Sequence, residues 1–164
     1  MADMSANGGP HSAVGVDIIE NERVRAALER FGERFLRRVY SPVEAAFCRG
    51  RVHELAARFA AKEAVMKALG TGARGVAWRE IEVLPNRRGK PLVYLYGRAK
   101  ERAERIGLEG LDVSMSHSRE YAVAMVVGQA GEPEPDREGW RRTLIGILRQ
   151  RGLLGEGQDL ELGS

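Results

Sequence analysis

The stretch Arg58-Phe-Ala-Ala-Lys62-Glu63-Ala-Val-Met-Lys67-Ala-Leu-Gly70 separates a largely helical first part of the chain from a strand-rich remainder. It reads as the body of a helix over 54–69, rich in small residues, with Gly70, Gly72 and Gly75 at its exit. Glu63 and Lys67 stand four residues apart and so project from one face. Arg58, Lys62 and Lys67 are expected to make that surface positive. One carboxylate, several cations and a glycine-rich exit suit a polyphosphate held with a metal ion. Taken alone, a Glu–Lys pair at this spacing is more commonly a solvated salt bridge, worth roughly 0.2–0.5 kcal/mol.

Upstream, Ala13-Val-Gly-Val-Asp17-Ile-Ile19 has the branched composition of a short strand, interrupted by one acid. Val24, Ala27, Leu28, Phe31, Phe35 and Val39 then recur at helical spacing, predicting one helix over 22–39. Its other face carries Arg23, Arg30, Arg34, Arg37 and Arg38. Ser41-Pro42-Val43-Glu44 has the form of a capping box with proline at the first helical position, so a second helix is expected to about Arg49. Downstream, strands are expected over 79–84, 92–96, 111–116 and 121–127, with a turn over 85–91 and a short helix over 98–106. Helices first and strands later point to an α+β fold, an antiparallel sheet packed on helices.

The chain of 164 residues suits one domain plus tails. Residues 1–12 are small and polar, without the apolar core of a secretory signal, and read as a disordered leader. The domain is expected over 13–129. Residues 130–164 divide into a linker, Gly131-Glu-Pro-Glu-Pro135, an amphipathic helix marked by Trp140, Leu144, Ile147 and Leu148, and a polar tail. Lys and Arg exceed Asp and Glu by three, so clustering of the arginines matters more than net charge. No apolar run approaches the roughly 18 residues of a membrane span. The single cysteine, Cys48, excludes an intrachain disulfide, suits a reducing compartment and reads as a plain structural thiol. A cytoplasmic protein without a membrane role is expected.

Two further residues invite chemistry. Asp17 is an acid in a Val/Ile-rich strand, costly to bury unless it is paired or bound to a cation. Capping a strand end is its ordinary role; the other is to join Glu63 in the oxygen shell of a magnesium ion, which takes one or two carboxylates beside phosphates and water. His117 closes a strand among hydroxyls, in Val113-Ser-Met-Ser-His117-Ser118, where it could bond a phosphate or move a proton. Lys90, in Gly89-Lys90-Pro91, adds another cation.

Val14-Gly-Val-Asp17-Ile, Arg58-Phe-Ala-Ala-Lys-Glu63-Ala-Val-Met-Lys67-Ala-Leu-Gly-Thr-Gly72, Asn86-Arg-Arg-Gly-Lys-Pro91 and Val113-Ser-Met-Ser-His117 occur in this order. Together they resemble the holo-acyl-carrier-protein synthases, the short class of 4'-phosphopantetheinyl transferases, over about 13–129. The resemblance implies that family's fold, and transfer of phosphopantetheine from coenzyme A to a serine of an apo acyl carrier protein, with release of adenosine 3',5'-bisphosphate. It implies that Asp17 and Glu63 are metal ligands for magnesium, with manganese as the alternative ion. Catalytic roles fall to Glu63, Lys67 and His117, Lys67 touching the pyrophosphate. The coenzyme pocket is expected from Arg58, Lys62, Gly70, Gly72, Lys90, Pro91 and His117. Arg23 falls where the family grips the carrier protein, and the arginine row extends that role to Arg30, a surface complementary to an acidic carrier. The family further implies a homotrimer with active sites shared between subunits. Ser118 stands where some relatives have an acid, so no general base is placed there. A fatty-acid or a polyketide carrier remains open, as does the purpose of the C-terminal helix.

Two other classes compete. A basic nucleic-acid-binding module is disfavoured because aromatics are few and not interleaved with the arginines. A catalytically silent coenzyme A binder would tolerate loss of the two carboxylates, and both are present.

Overall fold

The computed structural model describes residues 11–131 and 137–157. The first segment runs β1 (His11–Glu20), α1 (Asn21–Phe31), α2 (Glu33–Val39), α3 (Pro42–Cys48), α4 (Val52–Leu69) and α5 (Gly72–Gly75). A 3-10 turn at Trp78–Glu80 leads to β2 (Ile81–Pro85), β3 (Pro91–Leu95), α6 (Gly97–Arg105), β4 (Glu109–His117) and β5 (Tyr121–Ala130). The strands form two antiparallel sheets: a three-stranded one in the order β1-β5-β4, and the hairpin β2-β3. This is the expected α+β class, with the sheet split in two.

The order is set by α4. Eleven of its eighteen residues are buried, five of them alanines, so it packs on nearly all sides and not along one stripe. One side meets β1 and β5. There Gly15 is indispensable, because a Cβ built on it would fall onto the Ala64 carbonyl oxygen. The other side meets α3 and β2 through polar groups. Lys62 Nζ, with no exposed surface, donates to Glu44 Oε1 at 2.6 Å, to the Ile81 carbonyl at 2.6 Å and to the Trp78 carbonyl at 3.1 Å. Glu44 also accepts from the backbone N–H of Ser41 and of Val83, and Ser41 Oγ donates to Glu82. Burial lowers the Lys62 pKa, and Glu44 opposes that shift. Removing one partner of such a pair costs roughly 3–5 kcal/mol, because the other charge is left buried alone.

Several expected boundaries move. The helix predicted over 22–39 breaks at Gly32, whose φ of 51° closes α1 and starts α2 in a new direction. Ser41 forms the anticipated capping box at the start of α3. The strand expected from Arg79 begins two residues later, after the 3-10 turn. His11 and Ser12, assigned above to the leader, extend β1 opposite Ala130 and Gln129; the rest of that leader, 1–10, lies outside the described residues. Cys48 is fully buried, and burial pushes its thiol up to about 11, in keeping with an inert structural role.

Residues 137–157 belong to a separate compact unit. Its helix α7 (Arg137–Gln150) carries Trp140, Leu144, Ile147 and Leu148 at helical spacing, and Thr143 Oγ1 returns to the Gly139 carbonyl at 3.0 Å. The expected linker, apart from Gly131, lies outside the described residues. Among the described residues, no helix is long and apolar enough to cross a membrane.

Gly15→Ala is expected to push α4 off β1 and to cost about 1–3 kcal/mol, the usual penalty of overpacking. Urea unfolding would show it as a lower midpoint; an unchanged midpoint would mean that the close approach is not a constraint.

Candidate active site

Alternation along β1 places Ala13, Gly15, Asp17 and Ile19 on the face covered by α4, and Val14, Val16 and Ile18 on the opposite face. Asp17 is thereby carried under the middle of α4, where its side chain keeps 18% exposure. Lys67 reaches across from α4 and donates to Asp17 Oδ1 at 3.2 Å and to the Val16 carbonyl at 2.8 Å. Glu63, one turn earlier on α4, is half-buried. Its pKa is raised, first by burial and then by the Asp17 charge, with Lys67 acting the other way. Two carboxylates thus share one exposed lysine at the contact between α4 and β1. The ion pair that forms joins Lys67 to Asp17, where the helix spacing alone had suggested Glu63.

The glycine exit has the expected form. Gly70 caps α4 at φ 72°, and Gly72 opens α5 at φ 58°, both left-handed values that disfavour a side chain. Lys90 and Pro91 close the β2-β3 turn. The Asn86 side chain accepts from the Arg88 and Lys90 N–H groups, and Lys90 Nζ pairs with Asp112 at 3.2 Å. Arg23 and Arg30 are both exposed on α1.

Two of the residues expected to touch a substrate are buried and bonded inside the chain. Arg58 is 2% exposed: Nε donates to the Val83 carbonyl at 3.0 Å, Nη1 to Glu54 Oε2 at 2.6 Å, and the guanidinium lies over the Phe47 ring. Lys62 is consumed by Glu44 and the two carbonyls described above. Both cations point into the protein because α4 is buried on the side that carries them. Of the three cations read as one positive surface, only Lys67 is exposed.

His117 ends β4 some distance from the carboxylates. Its ring lies against that of His53, with centroids 4.6 Å apart and planes tilted by 33°. Both rings face an open cleft of about 560 Å³, which Asn21, Arg25, Ser118 and Arg119 also line. The Asn21 side chain donates to the Ser118 and Arg119 carbonyls at 2.9 and 3.2 Å and so ties this turn to α1. Its Oδ1 is buried without a hydrogen-bond partner among the described residues. His53 and Glu63 are ten residues apart on α4, about 15 Å at 1.5 Å per residue. The chain therefore presents two chemical clusters at different levels of the same helix. His53, Arg25 and Arg119 were not singled out in the sequence; only the scarcity of histidine, three in the chain, could have drawn attention to His53.

The sequence pattern of the 4'-phosphopantetheinyl transferase superfamily matches residues 13–126, about two-thirds of the chain. The chain belongs to that superfamily. Among curated proteins, the transferase is 50% identical over 121 residues to the holo-[acyl-carrier-protein] synthase of Herpetosiphon aurantiacus, covering 70% of this chain and 95% of the relative. It is likewise 50% identical over 115 residues to that of Dehalococcoides mccartyi strain CBDB1, covering 70% and 96%. Among solved structures, it resembles the Helicobacter pylori holo-[acyl-carrier-protein] synthase in complex with coenzyme A, with a TM-score of 0.65 and 32% identity over 70% of this chain and 98% of the other. The Neisseria meningitidis synthase gives a TM-score of 0.66 and 34% identity over 71% and 96%.

The raised pKa of Glu63 carries a sign. The folded protein holds the Glu63 proton more tightly than the unfolded chain does, so this group's contribution favours folding while protonated and fades as pH rises through its range. In chelator-treated protein, Glu63→Gln is expected to raise the thermal midpoint near neutral pH, with the gain shrinking toward acid. A lower midpoint near neutral pH would contradict the reading of Glu63 and Asp17 as mutually repelling carboxylates.

Proposed function

We propose that this transferase moves 4'-phosphopantetheine from coenzyme A to a serine hydroxyl of an apo acyl carrier protein, releasing adenosine 3',5'-bisphosphate, with magnesium or manganese as its metal. The observation that carries the reading is the meeting of Asp17, Glu63 and Lys67 at the contact of α4 with β1, in a chain of this superfamily. Two carboxylates against one lysine make a donor set short of positive charge. A divalent ion would relieve it, and magnesium needs no more than one or two protein carboxylates when phosphate oxygens and water complete its shell. Among the described residues no cluster of three or more His, Cys, Asp or Glu stands as a closed metal cage, and a site that shares its ion with a pyrophosphate requires none. When bound, the ion would offset the charge that grows on the departing phosphate.

The chain's own groups supply the rest. Asp17 and Glu63 would hold the metal ion. Lys67, half-exposed, turns from Asp17 to the pyrophosphate and donates to the oxygen on which the leaving bisphosphate departs. Glu63 would also take the serine proton through a water it holds. The cleft at His117, with His53, Arg25 and Arg119, suits the anionic far end of coenzyme A. Gly70 and Gly72 leave the backbone open beside the phosphates, and Lys90 and Pro91 form a further wall. Arg23, followed by Arg30, faces the acidic carrier. A buried thiol and the lack of a described membrane span accord with action in the cytoplasm.

The assembly proposed is a homotrimer with its active sites between subunits. Val14 (55% exposed), Val16 (54%), Ile18 (63%), Met125 (50%) and Val127 (39%) form an apolar outer sheet face. Register pairs Val14 with Val127 and Val16 with Met125, so the patch is contiguous. Such a face marks an interaction surface. A neighbouring subunit packed there also explains how clusters about 15 Å apart on one helix can join a cluster from elsewhere to complete one site.

Incubation with coenzyme A, magnesium and an apo carrier protein is expected to add the phosphopantetheine mass to the carrier, read by intact mass spectrometry. No increment on any carrier with folded protein would overturn the transferase reading. Glu63→Gln and Lys67→Ala should each lower the rate by about 10²-fold or more, and Arg23→Glu should raise KM for the carrier while leaving that for coenzyme A unchanged. Survival of full magnesium-dependent activity in Glu63→Gln would remove it from the ligand set. By sedimentation, the parent is expected as a trimer and Val16→Glu/Met125→Glu as a folded monomer with little activity; a monomeric, active parent would overturn the shared-site assembly.

A further inference from the structure

Lys62 and Glu63 are neighbours on α4, so their side chains leave the helix about 100° apart. Glu63 turns toward Asp17 of β1. Lys62 turns toward α3 and β2, where its ammonium satisfies all three donors on fixed acceptors: one Glu44 oxygen and the carbonyls of Trp78 and Ile81. Glu44 in turn is held by the N–H groups of Ser41 and Val83, so it cannot follow the lysine if α4 turns. One turn earlier, Arg58 repeats the contact by donating to the Val83 carbonyl. Most of the other residues buried along α4 are alanines and similar small or straight apolar groups. Apolar burial carries no preferred direction of its own, whereas the Lys62 hydrogen bonds do.

We propose that Lys62 is a positioning residue. Its buried bonds to Glu44, Ile81 and Trp78 fix the roll of α4, and through it the placement of Glu63 and Lys67 against Asp17. Lys62 touches no substrate. It acts across the thickness of the helix, and the same bonds seat the hairpin that carries Lys90 and Pro91. This role rests on the transferase reading only for its kinetic consequence; the geometric consequence is independent of it.

The test compares the parent with Lys62→Arg, Lys62→Met and Lys62→Met/Glu44→Leu. The last replaces the whole buried pair by apolar groups, a change that is often neutral or stabilising, so it remains informative where Lys62→Met fails to fold. In metal-free, 15N-labelled protein, loss of the pair is expected to shift the amide signals of Gly15, Val16 and Asp17, on the far side of α4. Mn2+ affinity, read by electron paramagnetic resonance without coenzyme A, should weaken about 10–100-fold, the range found when the support of a metal ligand is lost. The rate constant kcat should fall by a similar factor with little change in KM for coenzyme A, and Lys62→Arg should recover part of it. A folded double variant with shifts confined to α3 and β2, parental Mn2+ affinity and parental kcat would overturn the role and leave Lys62 a stability element. A parent that neither binds Mn2+ nor transfers would count against the transferase reading, and the β1 amide shifts would still decide the positioning role.

Discussion

A helix buried on nearly every side has nowhere to hide a lysine, and α4 buries one completely. The contact of Lys62 with Glu44 is tolerable only because its donors and acceptors are satisfied, by the carbonyls of Trp78 and Ile81, two backbone N–H groups and the ion pair itself. Such pairs add little net stability over well-packed apolar residues. Their value lies in direction. Apolar contacts carry no preferred direction, whereas an ammonium with three fixed acceptors does. The elements that meet there, α3, the 3-10 turn, β2 and α4, are locked in one relative orientation.

The opposite side of α4 depends on that orientation. Gly15 lets the strand come so near that the Ala64 carbonyl occupies the place of a side chain. At this spacing Asp17 interacts electrostatically with Glu63, and the Lys67 ammonium reaches the Val16 carbonyl and the Asp17 carboxylate together. A slightly larger separation would hydrate both acids and return Glu63 toward ordinary behaviour. The electrostatics of the site are therefore a consequence of backbone packing: small residues on the helix, none at all on the strand.

This also accounts for what could be read in advance. Period-two and period-3.6 patterns, the capping box at Ser41 and the glycine exit are local, and they placed most elements within a few residues. Asp17, Glu63, Lys67 and His117 could be selected as chemically unusual in their own segments. The directions of Arg58 and Lys62 were not local information. Both sit on a helix whose apolar residues are too evenly spread to mark a buried face, and charged side chains on such a helix look solvated until their acceptors on β2 and α3 are known. The break at Gly32 was missed for the opposite reason, since the apolar period runs on through it while the backbone turns. Beyond the scarcity of histidine His53 gave no signal, because its partner, His117, is 64 positions away and meets it only when β4 ends beside the start of α4.

The apolar outer sheet face and the divided polar clusters are two sides of one geometric fact. Among the described residues of the first unit, α4 covers one face of the three-stranded sheet and the other face, branched and aliphatic, stays exposed. The same helix is too long to present one compact site: the carboxylates lie at its middle and the imidazoles at its start, about 15 Å apart. A larger single-chain fold could cover the sheet and wrap the site with additional elements. The homotrimer proposed above would meet both needs with copies of the same subunit. In that assembly, coverage of the sheet and closure of the site would be one event.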